Sequence, residues 1–162
     1  MLSLLKNLVF IGLALVLIAP VNAATDDSGP AIQGYSPVSY FTKGFAEHGD
    51  ADHAVTHKGK TYYLASAEQV EIFRQNPEKY VPQMDVCPYS MLHGRRLSID
   101  PTNFKIIAGK LLLFHDSVEL NALKKWNKNV KQHDIDETDL LERSQQNYEF
   151  YQSEAVSSQK GI

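Results

Sequence analysis

The sequence predicts a small α+β domain of short β-hairpins and short helices, with a helical tail at its C-terminal end. Three observations carry that expectation. Two pairs of short, β-forming runs flank glycine-containing turns, around Gly59 and at Ala108-Gly109. Between and after them lie short segments with helix-capping residues and apolar side chains at i, i+3. From residue 137 to residue 151 no Gly or Pro interrupts the chain, as a longer helix requires.

Taken in order, Lys6 is followed by residues 8–19, twelve positions without a charge, and then by Pro20-Val21-Asn22-Ala23-Ala24. A basic start, an apolar core of that length and small residues at its end are the marks of a secretory signal peptide, expected over residues 1–23. A bilayer span takes about 20 apolar residues. No membrane association is therefore expected once the signal is cut, and the implied location is periplasmic or secreted. Residues 24–31 are polar and read as a flexible lead-in. Residues 32–130 read as the folded domain, and residues 131–162 as a helical tail that ends in disorder.

Within the domain, Ser36 is placed to cap a short helix with Pro37 in its first turn and Val38, Tyr40 and Phe41 on its apolar side. Residues 43–52 read as a loop. Residues 54–57 and 61–64 form the first expected hairpin. Ser66 and Gln69 have the spacing of a capping box. The helix they open turns Val70 and Phe73 inward and stops at Asn76-Pro77. A brief helix is expected over residues 86–93 with Pro88 in its first turn. Residues 103–107 and 110–114 form the second hairpin. Asp116 or Ser117 then caps a helix bearing Leu120, Leu123 and Trp126. A last helix over residues 137–151 lines up Leu141, Tyr148 and Tyr151, and residues 153–162 are expected to be disordered. The sequence displays no internal repeat.

Cutting after Ala23 leaves 139 of the 162 residues, enough for one domain with its own core. Lys6 leaves with the signal, so fifteen basic residues face nineteen acidic ones and the net charge is −4. A mildly acidic chain carries no electrostatic footprint for nucleic acid or anionic lipid. Its one cysteine cannot form an internal disulfide, which leaves Cys87 as a free thiol, an intermolecular partner or a ligand.

The run Gly34-Tyr35-Ser36-Pro37-Val38-Ser39-Tyr40-Phe41 is followed by His57-Lys58-Gly59-Lys60-Thr61-Tyr62-Tyr63-Leu64-Ala65-Ser66-Ala67-Glu68. Phe73, Asn76-Pro77-Glu78-Lys79-Tyr80, Pro82, Cys87, Gly94, Asp100-Pro101, Phe104, Ile106 and Gly109-Lys110-Leu111 follow in step. In this order and spacing the segment from Ile32 to Trp126 resembles the YHS-domain family, in its exported bacterial branch. Tyr35, Pro37, Tyr63, Ser66, Pro77, Gly94 and Gly109 are the motif positions that the resemblance makes structural. The compact form of that family holds a metal through three cysteines. Laid on this sequence their positions are Ser39, Ala65 and Gln69, so the resemblance implies the fold without the usual metal site.

Cys87 admits three readings. Cys87-Pro88-Tyr89-Ser90 is similar to the glutaredoxin-type motif Cys-Pro-Tyr-Cys, in which a helix N-terminus stabilises a thiolate nucleophile. That fold places the motif after the first strand of a βαβ unit, however, and here it follows a loop. A metal reading rests on softness, since thiolate and thioether select Cu(I) and imidazole suits copper and zinc. In a helix over residues 84–93, Met84, Cys87 and Met91 would share one face, with His93, His57 or His115 approaching from loops and hairpins. The third reading is packing alone, because Met and free Cys at helical spacing usually fill a core.

The other histidines and charged residues add less. His53 and His57 on one strand face stand roughly 13 Å apart, too far to share an ion. His57 is expected to bond within its hairpin, and Asp116 is placed to orient His115. His48 and His133 sit among polar residues. Arg95-Arg96 could hold an anion. Tyr35, Tyr40, Phe41, Tyr62 and Tyr63 read as core, or as the lining of a pocket for a flat ligand. No nucleophile elbow, phosphate-binding glycine loop or zinc-protease helix is present.

The function expected is therefore that of an exported binding protein rather than an enzyme. Periplasmic binding of copper or another transition metal leads, with Cys87 as anchor and Met91, His93, His57 and His115 as co-ligand candidates. A metal-free binding or scaffold module, with the C-terminal helix as a protein-partner surface or a small ligand in a pocket, is the alternative. Thiol-redox chemistry at Cys87 is the third.

Overall fold

The computed structural model describes residues 29–160, so the expected signal peptide lies outside the described residues. Among these residues the chain forms six α-helices and two antiparallel two-stranded sheets, the α+β class read from the sequence. The short helix α1 (Ser39–Thr42) leads into a hairpin of β1 (Asp50–His57) and β2 (Lys60–Leu64). Two helices follow, α2 (Ala67–Gln75) and α3 (Pro77–Tyr80). A second short helix, α4 (Pro88–Met91), leads into a second hairpin of β3 (Asp100–Ile107) and β4 (Lys110–Phe114). Helices α5 (Ala122–His133) and α6 (Glu137–Lys160) close the chain.

The two halves of this list are built alike, about 50 residues apart, which corrects the expectation of no repeat. Lys58 and Gly59 turn the first hairpin at φ of 49° and 76°, and Ala108 and Gly109 turn the second at 48° and 76°. Two consecutive left-handed residues make the turn whose twist matches the strands it joins. Both first strands slip register near their start, between Asp50 and Ala54 and between Asp100 and Phe104. In both, the aspartate carboxylate accepts from the amide two residues on, Asp52 at 2.9 Å and Thr102 at 2.8 Å.

The entries to the hairpins also match. Ser36 N–H donates to the Glu47 carbonyl at 2.8 Å and Cys87 N–H to the Leu97 carbonyl at 3.0 Å. A buried proline follows each, Pro37 and Pro88. Each turn of helix ends in a left-handed glycine, Gly44 or Gly94. Few identities mark the repeat: Pro37/Pro88, Ser39/Ser90, Gly44/Gly94, Asp50/Asp100, Gly59/Gly109 and Lys60/Lys110. They are the residues that the turns themselves demand.

Each hairpin is roofed by different side chains. The first core gathers Tyr40, Tyr62, Leu64, Phe73, Leu111 and Leu113. The second gathers Cys87, Leu112, Phe114, Trp126, Leu140 and Leu141. Met84, Val86 and Met91 form a small third group against Tyr148 and Tyr151.

Some local expectations change. Ser36 does not cap α1, which starts at Ser39 with no side-chain cap. Ser66 does cap α2, accepting from Gln69 N–H at 3.2 Å, and Asn76 ends it before Pro77. Asn121 rather than Asp116 or Ser117 caps α5, accepting from Lys124 N–H at 2.9 Å. Residues 153–160, expected as disordered, continue α6.

The early turns of α6 are part of the core, with Leu140 and Leu141 each 3% exposed. Truncating Leu141 to alanine should therefore cost about 2–5 kcal/mol of folding stability in urea denaturation. A loss below about 1 kcal/mol would make α6 an appendage.

Candidate functional site

Three places in the fold bear on chemistry: the surroundings of Cys87, the positions Ser39, Ala65 and Gln69, and a cleft beside the first hairpin. Cys87 precedes α4 in extended conformation and is completely buried. It packs with Ile107, Leu112, Phe114, Ala122 and Trp126, while Met84 and Met91 belong to the separate third group. The helix covers only Pro88–Met91, so Met84 never joins a common face with Cys87 and Met91. The physical reason is Pro88, which fixes the helix start and leaves Cys87 extended before it.

The histidine candidates are dispersed over other elements. His93 is exposed and its ring meets Tyr89 edge-on at 4.7 Å. His57 bonds through Nε2 to Glu78 Oε1 at 2.7 Å, outside its own hairpin. His115 Nδ1 faces the Ser98 carbonyl at 3.0 Å, and Asp116 accepts instead from Asn121. Among the described residues no three His, Cys, Asp or Glu side chains group so as to hold a metal ion.

The internal repeat explains the Cys-Pro-Tyr-Ser echo. Cys87-Pro88-Tyr89-Ser90 stands where Ser36-Pro37-Val38-Ser39 stands in the first unit. Both stretches enter a hairpin through an extended residue, a proline and a turn of helix. Ser90 accepts from Leu97 N–H at 3.2 Å and donates to the Cys87 carbonyl at 2.7 Å, fastening that turn. A serine in the resolving position of a redox pair is thus a structural hydroxyl.

Ser39, Ala65 and Gln69 meet. The Gln69 amide is buried, its Oε1 accepting from Ser36 Oγ at 2.5 Å and from Ala65 N–H at 3.2 Å. Its Nε2 donates to Ser39 Oγ at 3.1 Å and to Glu47 Oε2 at 3.3 Å. Ser39 Oγ donates to the same Glu47 oxygen at 2.6 Å, and Lys43 pairs with Glu47 at 2.5 Å. The hydrogen bond from Lys43, with those from Ser39 and Gln69, holds the Glu47 carboxyl below the usual range against its desolvation. The Ser39 hydroxyl and the Ala65 backbone N–H are bonded to the Gln69 amide and the Ala65 side chain is a methyl, so these positions offer no soft donor and do not fit the thiophilic metal of the resembled family.

Glu47 and Gly49 were unmarked in the sequence, lying in what read as a loop. Gly49 is obligatory, because a Cβ there would sit 2.3 Å from the Tyr63 carbonyl oxygen. Motif residues take structural posts nearby. Tyr35 bridges to His48, and Tyr63 lies over Gly34 and Gly49. The Gly94 carbonyl accepts from Tyr151 OH at 2.8 Å.

The cleft has a volume of about 380 Å³. The first hairpin supplies Lys60 and Tyr62, the connection between units supplies Pro82 to Asp85, and α6 supplies Tyr148. Asp85 Oδ1 accepts from Tyr148 OH at 2.9 Å, and Lys60 Nζ stands 3.4 Å from Oδ2. Burial alone would raise the Asp85 carboxyl. The Tyr148 bond and the charges of Lys60 and Arg96 outweigh it and hold the group below its usual range. Burial, then the Asp85 charge, pushes the Tyr148 phenol up. Tyr62 is pushed up to about 12 by burial and by Glu78 and Asp85. The rim contains Ile32 and Gln33 at φ of 47° and 54°, left-handed conformations that cost on the order of 1–3 kcal/mol each.

No family model, no curated protein and no solved structure matches the chain.

Two measurements check this geometry. Gln69→Leu strands the partners of a buried amide and should cost about 1–3 kcal/mol in urea denaturation. For Asp85 the folded carboxyl titrates below the unfolded one, so its contribution is present above about pH 4 and lost as pH falls through the folded value. Tyr148→Phe removes a bond that lowers that value. The variant should lose less stability than the parent between pH 7 and pH 3, and equal losses would remove the Asp85–Tyr148 coupling.

Proposed function

We propose that this is an exported, non-catalytic binding module of YHS type in which a hydrogen-bonded node replaces the family's metal site. The observation that carries the reading is the meeting of Ser39, Ala65 and Gln69 around one buried amide. Those positions were assigned from the order of motifs alone, and Ser39 lies 26 residues before Ala65 and 30 before Gln69. Export rests on the apolar run after Lys6.

In this reading Cys87 is a packing residue. Copper anchored there would need soft donors around its sulfur, and its neighbours are Ile107, Leu112, Phe114 and Trp126. A redox thiol would need access to solvent, and Cys87 has none. The C-terminal helix is a weaker candidate for a partner surface than the sequence suggested. Its side bearing Leu141, Tyr148 and Tyr151 is covered by the protein's own core and by the 83–94 connection.

Cysteines restored at positions 39, 65 and 69 in a Cys87→Ala background should bind one Cu(I) per chain, measured by competition with a chromophoric chelator. The parent and Cys87→Ala should not differ. Loss of parental copper binding on Cys87→Ala would return the metal to Cys87. A triple-cysteine variant that folds and binds none would remove the YHS reading. Independently, Cys87 should react with a thiol reagent at least about 100-fold faster in denaturant than in buffer, as a sealed thiol does.

A further inference from the structure

We infer that the cleft beside the first hairpin is a binding site for a small zwitterion of the α-amino acid class. This rests on the binding-module reading and names its ligand. The cleft lies where the first hairpin, the 82–85 connection and α6 meet, and its volume of about 380 Å³ is at the small end of the range for small-ligand sites. Among the described residues its charged lining groups are Lys60 and Asp85, one of each sign. A ligand with balanced charge is favoured over a net cation or anion.

The pair is arranged to be opened. Lys60 Nζ and Asp85 Oδ2 are 3.4 Å apart, beyond the ordinary range for such a bond, and both side chains are nearly half exposed. A long, solvated ion pair holds little energy and gives way at low cost. Asp85 is nonetheless fixed, because Tyr148 OH donates to its other oxygen at 2.9 Å. Oδ2 can then take a ligand ammonium. Lys60 swings on its flexible stem to a ligand carboxylate. The Tyr62 hydroxyl has no hydrogen-bond partner among the described residues, and it offers that carboxylate a second donor.

Between these groups the wall sets Pro30, Ile32, Pro82, Met84 and Ile99 beside the polar side chains of Gln33, Thr61 and Gln83. Ile32 is a β-branched residue held at φ 47°, a conformation that such side chains avoid. The neighbouring Gln33 is tied by its amide to the Ile99 carbonyl at 3.1 Å, which fixes the rim across the cleft. Strain retained on the wall of a cavity accords with a wall shaped for an occupant.

The test is isothermal titration of the purified protein at pH 7 with L-phenylalanine, phenethylamine and 3-phenylpropionate. These probes carry both charges, the ammonium alone and the carboxylate alone. Phenylalanine should bind at least tenfold more tightly than either half. Lys60→Met should remove the advantage of phenylalanine over phenethylamine, and phenethylamine should bind at least as tightly as to the parent. Each variant's thermal melt checks that it is folded. Absence of binding by all three probes at millimolar concentration overturns the proposal. So does a phenethylamine affinity equal to that of phenylalanine in the parent, a result that needs no variant. Neither outcome touches the metal titration at positions 39, 65 and 69, so the two readings fail separately.

Discussion

A two-stranded sheet presents too little apolar face and too much open backbone to be stable in water, and both sheets of this protein are of that kind. Everything else follows from the need to roof them. The first hairpin turns Tyr62 and Leu64 onto Phe73 of α2 and Tyr40 of α1. The second turns Leu112 and Phe114 onto Trp126 of α5 and the paired leucines of α6. Neither unit is complete alone. Leu111 and Leu113 of β4 belong to the first core, and Tyr40 OH donates to the Pro101 carbonyl at 3.0 Å. Burial and the nearby Tyr35 and Asp100 push that phenol well above its usual range, so it remains a donor throughout the accessible pH range.

The repeat shows how one backbone scheme carries two chemistries. At the hairpin entries the same amide-to-carbonyl bond and the same buried proline recur, and Ser36 in one unit stands where Cys87 stands in the other. In the first unit the space beside that residue holds Gln69, Ser39 and Glu47, and a hydroxyl is needed to satisfy the amide. In the second it holds aliphatic and aromatic carbon, where a hydroxyl would be unpaired and a thiol is at home. The choice of serine or cysteine thus follows from what roofs each hairpin.

Much of this was legible in the sequence, because the readable elements are fixed locally. Gly59 and Gly109 are demanded by left-handed turn positions, Ser66 by an open helix end, and Pro77 and Pro88 by helix starts. What escaped depends on residues far apart in the chain. Glu47 gains its role from Gln69, 22 positions on, and Asp85 from Tyr148, 63 positions on. Gly49 is constrained by Tyr63, which no local pattern announces. The repeat escaped because its units share turn residues and almost no core residues. Cys87 drew the eye for its rarity, and it is the fold around it that strips the thiol of chemistry.

The placement of α6 then shapes one wall of the cleft. Four side chains along one stripe of the helix fasten the chain between and beyond the units. Gln145 bonds Gln83 at 3.0 Å, Asn147 the Met91 carbonyl at 2.8 Å, Tyr148 Asp85 at 2.9 Å and Tyr151 the Gly94 carbonyl at 2.8 Å. Leu140 and Leu141, earlier on the same helix, pack in the core that holds Cys87, while the stripe sets the carboxylate that faces the cleft. The same helix that closes the second core thus holds the cleft's acid in position.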